Sequence, residues 1–211
     1  MPGPKALLLA STSPQRRAIL EQLGLPFDVA APVYTEDDNP SLSAVAAVRA
    51  HALGKARSVL AEAEDRPVLA VDTTVALEGR TFGKPIDSDE AREMLSTLAA
   101  RTHEVVSGLC LIVSGRERVE HEITRVTLRD LTEDEIERYV GTGEWEGRAG
   151  GYAIQERGAA LVSRIEGDYL NVVGLPAALL VELLSELFPG QYGYGRRTTE
   201  LLGHSSTLGR G

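Results

Sequence analysis

An aspartate, Asp72, interrupts the apolar run PVLAVDTTVAL at residues 67–77. Desolvating a carboxylate there is costly unless it binds something. In open α/β sheets, the ends of strands face the ligand crevice. Asp72 is therefore a candidate for binding or catalysis, although an aspartate bonded to the next turn would look the same. Thr73 and Thr74 suit either reading.

A second group lies in LLLASTSPQRRAILEQLG, residues 7–24. Proline is favoured at the first helical position, where its missing N–H has no intrahelical partner to lose. Pro14 therefore makes Ser13 the N-cap. The first turn of a helix leaves N–H donors free and carries the positive end of the helix dipole, so a helix that starts after a strand is a natural anion site. Ser11, Thr12 and Ser13 add hydroxyls. Arg16 and Arg17 add guanidinium groups able to grip phosphate in bidentate fashion. The stretch reads as a phosphate cradle, or as a plain capped helix with solvated arginines.

Isolated cations and carboxylates complete the set. Lys84 sits between Gly83 and Pro85, a stiff place for a long cation that could meet a phosphate. Lys55 lies in HALGKAR. Either lysine alone also fits a solvated surface position. Glu36, in the acidic stretch YTEDDNP, could join Asp72 as a hard oxygen ligand for Mg²⁺, which takes few carboxylates and completes its shell with substrate phosphates. Gln155, in GGYAIQERG, could read the edge of a base or satisfy a loop backbone. His51, His103 and His121 lack metal-ligand spacing, so a zinc site is not expected. There is no Walker loop, no G-x-G-x-x-G after a strand and no G-x-S-x-G elbow.

These groups need a scaffold. The pattern predicts strands at 5–10 and 27–31, a helix at 14–23 ended by Gly24, and an Ala-rich helix at 41–63. A strand follows at 67–77, then a hairpin or loop in EGRTFGKPID, then a helix at 88–99 capped by Asp87 or Ser88. HEVVSGLCLIVSG and RVEHEITRVTLRDL alternate like an antiparallel pair around GRE. Thr132 and Glu135 form a capping box for the next helix. GGYAIQ and AALVSRIEGDYLNVVG read as strands, and 175–188 as a closing helix. Early alternation of strands and helices followed by paired strands predicts an α/β fold, a mixed twisted sheet with flanking helices. Residues 1–188 form one expected domain; 189–211, rich in Gly, Ser, Thr and Arg and including His204, read as a flexible tail.

Bulk composition narrows the class. The 211 residues are 43% hydrophobic and 25% charged, as in an ordinary globular protein. A net charge of −9 argues against a general nucleic-acid binder. The single cysteine, Cys110, rules out a disulfide framework within the chain and suits a reducing compartment. Cys110 reads as a buried strand residue rather than a nucleophile. The apolar run near the amino end is too short for a signal peptide or a membrane span. A cytoplasmic protein is expected.

Taken in order, LASTSPQRR, VDTTV, GKPID, HEVVSGLCL, AGGYAIQ and GDYLNVVGLP resemble the Maf family of nucleotide pyrophosphatases. The resemblance spans nearly all of residues 7–188. It implies two lobes around a deep cleft, a homodimer, and hydrolysis of a nucleoside triphosphate to the monophosphate and pyrophosphate with Mg²⁺ or Mn²⁺. By position, Ser11, Ser13 and Arg16 would hold phosphate. Glu36, Lys55, Asp72, Lys84 and Gln155 match the remaining polar positions, with Asp72 as general base orienting water toward the α-phosphorus. Lys55, Lys84 and Arg16 would offset charge, and pyrophosphate would leave on the helix start at Ser13. Such catalysis rests on positioning and neutralisation.

The details point in two directions. DTT with YAIQ is similar to the branch acting on dTTP and UTP, and Thr73 with Gln155 supports a pyrimidine substrate. Gln15, however, stands where that branch has the first arginine of SPRR, and Arg148 replaces the lysine of DKAG. The branch acting on 7-methyl-GTP is the alternative. Two other readings compete: an aspartyl-phosphate phosphatase, disfavoured because Thr74 stands where a second Asp is needed, and a nucleotide-binding regulator of cell division with little turnover. Trp145 fits a place beside the cleft or in the core.

Overall fold

The computed structural model describes residues 4–36 and 42–194. Strand β1 (Leu7–Ala10) leads into helix α1 (Pro14–Gln22), then β2 (Phe27–Ala30) and α2 (Ala44–Ser58), which passes into a single turn, α3 (Leu60–Ala63). The long strand β3 (Val68–Leu77) turns back as β4 (Arg80–Phe82), and α4 (Ser88–Leu98) follows. Next come β5 (Thr102–Val113), β6 (Arg116–Leu128), α5 (Glu133–Val140), β7 (Val162–Glu166), α6 (Tyr169–Val173) and α7 (Ala177–Leu187). The seven strands form one mixed sheet in the order β2-β1-β3-β5-β6-β7, with β4 paired to β3. Only β1–β2 and β1–β3 are parallel. The expected mixed α/β sheet with flanking helices is the observed one.

Strand alternation distributes the core. Successive side chains point to opposite faces of a strand. Leu7, Leu9, Leu69 and Val71 accordingly pack with Ile19, Leu20, Leu180 and Leu184, between the sheet and helices α1 and α7. Leu8, Ala10, Val68 and Ala70 pack on the other face with Ala52 and Ala56 of α2. The far half of β3 contributes Val75 and Leu77 to a third cluster, with Leu95 and Leu98 of α4 and Ile136 and Tyr139 of α5. One strand thus runs from one lobe into the other. The same parity puts Asp72 on the α2 side and Thr73 on the α1 side.

Helix α2 lies unusually close to the sheet. Gly108 is the register partner of Asp72 on β5. A Cβ built on Gly108 would stand 2.2 Å from the Val48 carbonyl oxygen and 2.7 Å from the Arg49 nitrogen. The bare glycine lets the helix backbone touch the strand directly.

Several elements differ from the pattern reading. GGYAIQ is not a strand: Gly150 and Gly151 take φ of 73° and 74°, and a short 3₁₀ turn covers Ala149–Gly151. Left-handed backbone cannot continue a pleated ladder. Of AALVSRIEGDYLNVVG, only Val162–Glu166 is strand. Asp168 ends that run by capping α6, its Oδ1 accepting from the Leu170 N–H at 2.8 Å. The Ala-rich helix starts at the Ser43 cap and breaks at Val59. The β5–β6 turn falls on Ser114 and Gly115, with φ of 48° and 76°, one step ahead of GRE. The capping box of Thr132 and Glu135 is present, and Asp87 is the cap of α4.

Packing does not stop where the composition changes. Beyond Phe188, Tyr192 is buried and donates to the Lys5 carbonyl at 2.8 Å, and Tyr194 donates to the Leu23 carbonyl at 2.9 Å. The rest of the expected tail, residues 195–211 with His204, lies outside the described residues, as do Asp37 and Asp38 of the acidic stretch. Among the described residues no helix is long and apolar enough to cross a membrane.

The close approach at Gly108 has a measurable consequence. Gly108→Ala should lower unfolding stability by about 3 kcal/mol, the upper end for overpacking, because the new methyl meets backbone that cannot rotate away. A urea midpoint within error of wild type would contradict that packing.

Candidate active site

The end of β1 and the start of α1 build the first wall. Ser13 takes an extended backbone, φ −65° and ψ 122°, and its Oγ caps the Arg16 N–H at 3.5 Å, with Pro14 in the first turn. Ser11 is buried; its Oγ accepts from the Ser13 N–H and from Arg16 Nη1, both at 3.2 Å. Ser13 Oγ also donates to Gln15 Oε1 at 3.1 Å.

Arg16 is a strut as well as a charge. Its Nε donates to the Gly174 carbonyl at 2.9 Å, and Nη2 donates to Thr73 Oγ1 at 3.3 Å. Thr73 Oγ1 in turn lies 2.8 Å from Ser107 Oγ. One side chain thus ties together the α1 start, β3 and the segment after α6. Desolvation by burial lowers the Arg16 pKa from its ordinary value, against the opposing pull of Asp72 and Glu36. A guanidinium remains charged through any such shift. Arg17 is exposed and does not line the cavity, so the expected pair of guanidinium groups is a single one.

Across from this wall, Lys55 is shared by two carboxylates. Its Nζ lies 2.5 Å from Asp72 Oδ1 and 2.6 Å from Glu36 Oε1. The Lys55 and Asp72 side chains are only 13% and 12% exposed, whereas Glu36 is 47% exposed. Desolvation would raise the Glu36 pKa, but its hydrogen bond to Lys55 and the charges of Lys55, His51 and Lys84 outweigh it, and the net direction is down.

A cavity of about 540 Å³ opens between these walls. Of the residues singled out from sequence, Ser11, Ser13, Arg16, Glu36, Lys55, Thr73, Lys84 and Gln155 line it. Asp72 is not among the lining residues, but its Oδ1 is held by the lining residue Lys55. Lys84 is an exposed residue of the lining. The apolar part of the lining includes Val75, Val105, Tyr152, Val172 and Val173, and Arg148 joins them. Arg148 Nε is buried without a protein partner among the described residues. Trp145 packs against the core and donates from Nε1 to the Val140 carbonyl at 3.0 Å. Cys110 is buried, and desolvation pushes its thiol up to about 12, far from thiolate chemistry.

Sequence reasoning passed over Tyr34 and Tyr152 and weighed His51 only as a metal ligand. Tyr34 lines the cavity and its hydroxyl lies 3.2 Å from His51 Nδ1. Tyr152 also lines it, with its hydroxyl 2.7 Å from His103 Nε2. One signal was available: Gly54, an isolated glycine inside an Ala-rich helix beside Lys55, usually marks a packing demand.

The donor set suits a hard divalent cation. Glu36 and Asp72 already converge on one positive centre, and Mg²⁺ commonly takes one or two carboxylates and fills its shell with phosphate and water. Among the described residues no group of three or more His, Cys, Asp or Glu forms a self-sufficient metal cage.

The chain as a whole is similar to known proteins. The family described as "Maf-like protein" matches residues 6–187. The chain is 49% identical to a Moorella thermoacetica protein named dTTP/UTP pyrophosphatase, over 85% of this chain and 93% of that protein. It is 48% identical to one of the same name from Nitratidesulfovibrio vulgaris, over 84% and 86% of the two chains. With the Pyrococcus furiosus protein of that name the identity is 44%, over 85% and 94%.

The pair behind the apolar lining generates a pH prediction. His103 is 1% exposed, and burial lowers its pKa to about 4. The unfolded chain therefore binds a proton near pH 6.5 that the folded chain refuses until about pH 4. The stabilisation is complete above the unfolded value and is lost as pH falls toward the folded one. Unfolding stability should drop between those values by on the order of 3 kcal/mol from this residue. Urea titrations across that range should show a shallower slope for His103→Gln.

Proposed function

Because the chain belongs to the Maf-like protein family, we propose that it is a nucleoside triphosphate pyrophosphatase that cleaves dTTP and UTP to the monophosphate and pyrophosphate. The observation that carries the reading is the meeting of the α1 start and Arg16 with the Lys55–Asp72–Glu36 cluster around one cavity, in a chain whose relatives bear that activity in their names.

A triphosphate repels nucleophiles by its charge, so the site must neutralise and orient. Arg16 and the hydroxyls of Ser11 and Ser13 hold phosphate oxygens at the helix start, where free N–H groups and the helix dipole favour an anion. Lys55 and Lys84 add positive charge. Asp72 accepts from Lys55 on Oδ1; this reading assigns its other oxygen to the attacking water, whose proton it takes as the O–P bond forms. Water attacks the α-phosphorus, the α–β anhydride bond breaks, and pyrophosphate leaves toward Ser13. Glu36 and Asp72 would hold Mg²⁺ or Mn²⁺, which when bound neutralises charge on phosphate oxygens. Gln155 and Thr73 support a pyrimidine, since a side-chain amide can pair with the carbonyl and N–H edge of uracil or thymine. The reading includes a homodimer acting in the cytoplasm, on a small nucleotide rather than on nucleic acid, consistent with the acidic chain and its single cysteine.

The test is a product assay with Mg²⁺ over canonical triphosphates and 7-methyl-GTP, resolving pyrophosphate from orthophosphate. Pyrophosphate from dTTP and UTP is expected. Asp72→Asn should lower kcat by about 10²–10⁴ with an unchanged circular dichroism spectrum. Orthophosphate from simple monophosphates, or tight nucleotide binding without turnover, would overturn the proposal; preference for 7-methyl-GTP would move it to the other branch of the family.

A further inference from the structure

The stretch that carries Glu36 has no regular secondary structure, yet it is held against α2 at more than one point. The Tyr34 ring lies on the helix at Gly54. A Cβ built on Gly54 would stand 2.2 Å from Tyr34 Cε2, 2.5 Å from Cζ and 2.7 Å from Cδ2. While the ring keeps that seat, the contact leaves no room for a Cβ at Gly54. The Tyr34 hydroxyl reaches His51 Nδ1 at 3.2 Å, and the two rings meet edge to face, centroids 5.9 Å apart and planes at 60°. His51 is buried. Two residues beyond Tyr34, Glu36 meets Lys55 Nζ at 2.6 Å.

His51, Gly54 and Lys55 stand at i, i+3 and i+4, the spacing that puts residues on one helix face. One turn of α2 thus engages the loop through an imidazole, a bare backbone and an ammonium. The carboxylate contact is the weakest anchor of the three. Glu36 is about half exposed, and ion pairs so exposed contribute little to holding a chain in place. The ring contact is different in kind, because it buries apolar surface and any Cβ at Gly54 would displace it. A glycine inside an Ala-rich helix also disfavours the helix locally. The seated ring gives that glycine a reason.

We propose that Tyr34 is a positioning residue. Its ring on Gly54 and its hydroxyl on His51 latch the loop so that Glu36 reaches Lys55 and completes the phosphate end of the cavity. The proposal rests on the pyrophosphatase reading for its kinetic consequence, but the latch itself is a structural statement that can be tested separately.

The experiment is a set of double-mutant cycles read as kcat/KM for pyrophosphate release from dTTP, with amide hydrogen exchange over residues 33–36 alongside. Tyr34→Ala and Gly54→Ala should each lower kcat/KM by about tenfold or more. The informative step is the combination. Without the ring, the Gly54→Ala methyl has nothing to strike, so the second change should cost about twofold or less in the Tyr34→Ala background. In a Glu36→Gln background, Tyr34→Ala should likewise cost little, because its effect passes through Glu36. Tyr34→Phe, which keeps the ring and loses the hydroxyl, should recover most of the activity. Exchange at 33–36 should quicken in Tyr34→Ala while the amides of β3 stay protected.

Additive losses in either cycle, or unchanged exchange at 33–36 in Tyr34→Ala, would overturn the latch. If Gly54→Ala fails to fold, the Tyr34 and Glu36 variants still decide the question. If the wild-type protein releases no pyrophosphate, the functional reading fails instead, and the exchange data still report on the latch.

Discussion

The site is organised by one ammonium group with two carboxylates against it. Lys55 comes from a helix, Asp72 from the central strand and Glu36 from a loop, and all three meet within 2.6 Å of a single nitrogen. Removing Lys55 would leave the buried Asp72 carboxylate without its cation and facing the half-exposed Glu36. Such a cluster is a poor source of net stability, since desolvation consumes much of the Coulombic gain. It is a good way to hold like charges close together where the proposed reaction would bring a polyanion and a divalent cation. The other features of the site exist to bring these three elements to that point.

The helix achieves it by backbone contact. Gly108, opposite Asp72 in the ladder, lets α2 touch β5 at Val48 and Arg49. From there the helix runs far enough along the sheet to present Lys55 to the carboxylate. Strand parity does the rest, because Asp72 shares a face with Val68 and Ala70, whose packing is with α2. On the opposite face Thr73 meets Arg16, which also grips Ser11 and Gly174. Adjacent residues on one strand therefore serve opposite walls of the cavity.

The two lobes divide the work. The β1–β2–β3 region, with α1, α2 and α7, supplies the charged wall. The third cluster, built on α4, α5 and the far half of β3, backs Val75 and Tyr152 of the apolar lining. Tyr152 is fixed from behind by His103, and α6 is fixed by Asn171, whose Nδ2 donates to the Val105 carbonyl at 3.0 Å and to Thr124 Oγ1 at 3.1 Å. The apolar wall of the cavity is therefore already packed from behind.

Local signals were readable where the physics is local. Pro14 behind Ser13 announces a helix start, Thr132 with Glu135 a capping box, and an aspartate in an apolar strand a carboxylate that must find a partner; each depends on neighbours a few residues away. The early strands and the mixed α/β class follow from periodicity in the same way. GGYAIQ misled because its apolar residues resemble a strand while Gly150 and Gly151 adopt left-handed backbone that composition does not reveal. The tail after Phe188 looked unstructured because two tyrosines are too few to show a packed segment, yet Tyr192 and Tyr194 reach partners at the other end of the chain.

By itself, then, the sequence determined the identities of the polar groups, the elements that carry them and the family to which they belong. Only the tertiary structure decided that Arg16 enters the cavity while Arg17 does not, that Asp72 pairs with Lys55, and that the Tyr34 ring seats on Gly54. Those outcomes depend on how helix and sheet backbones approach one another across long stretches of chain, a distance over which side-chain periodicity carries no information.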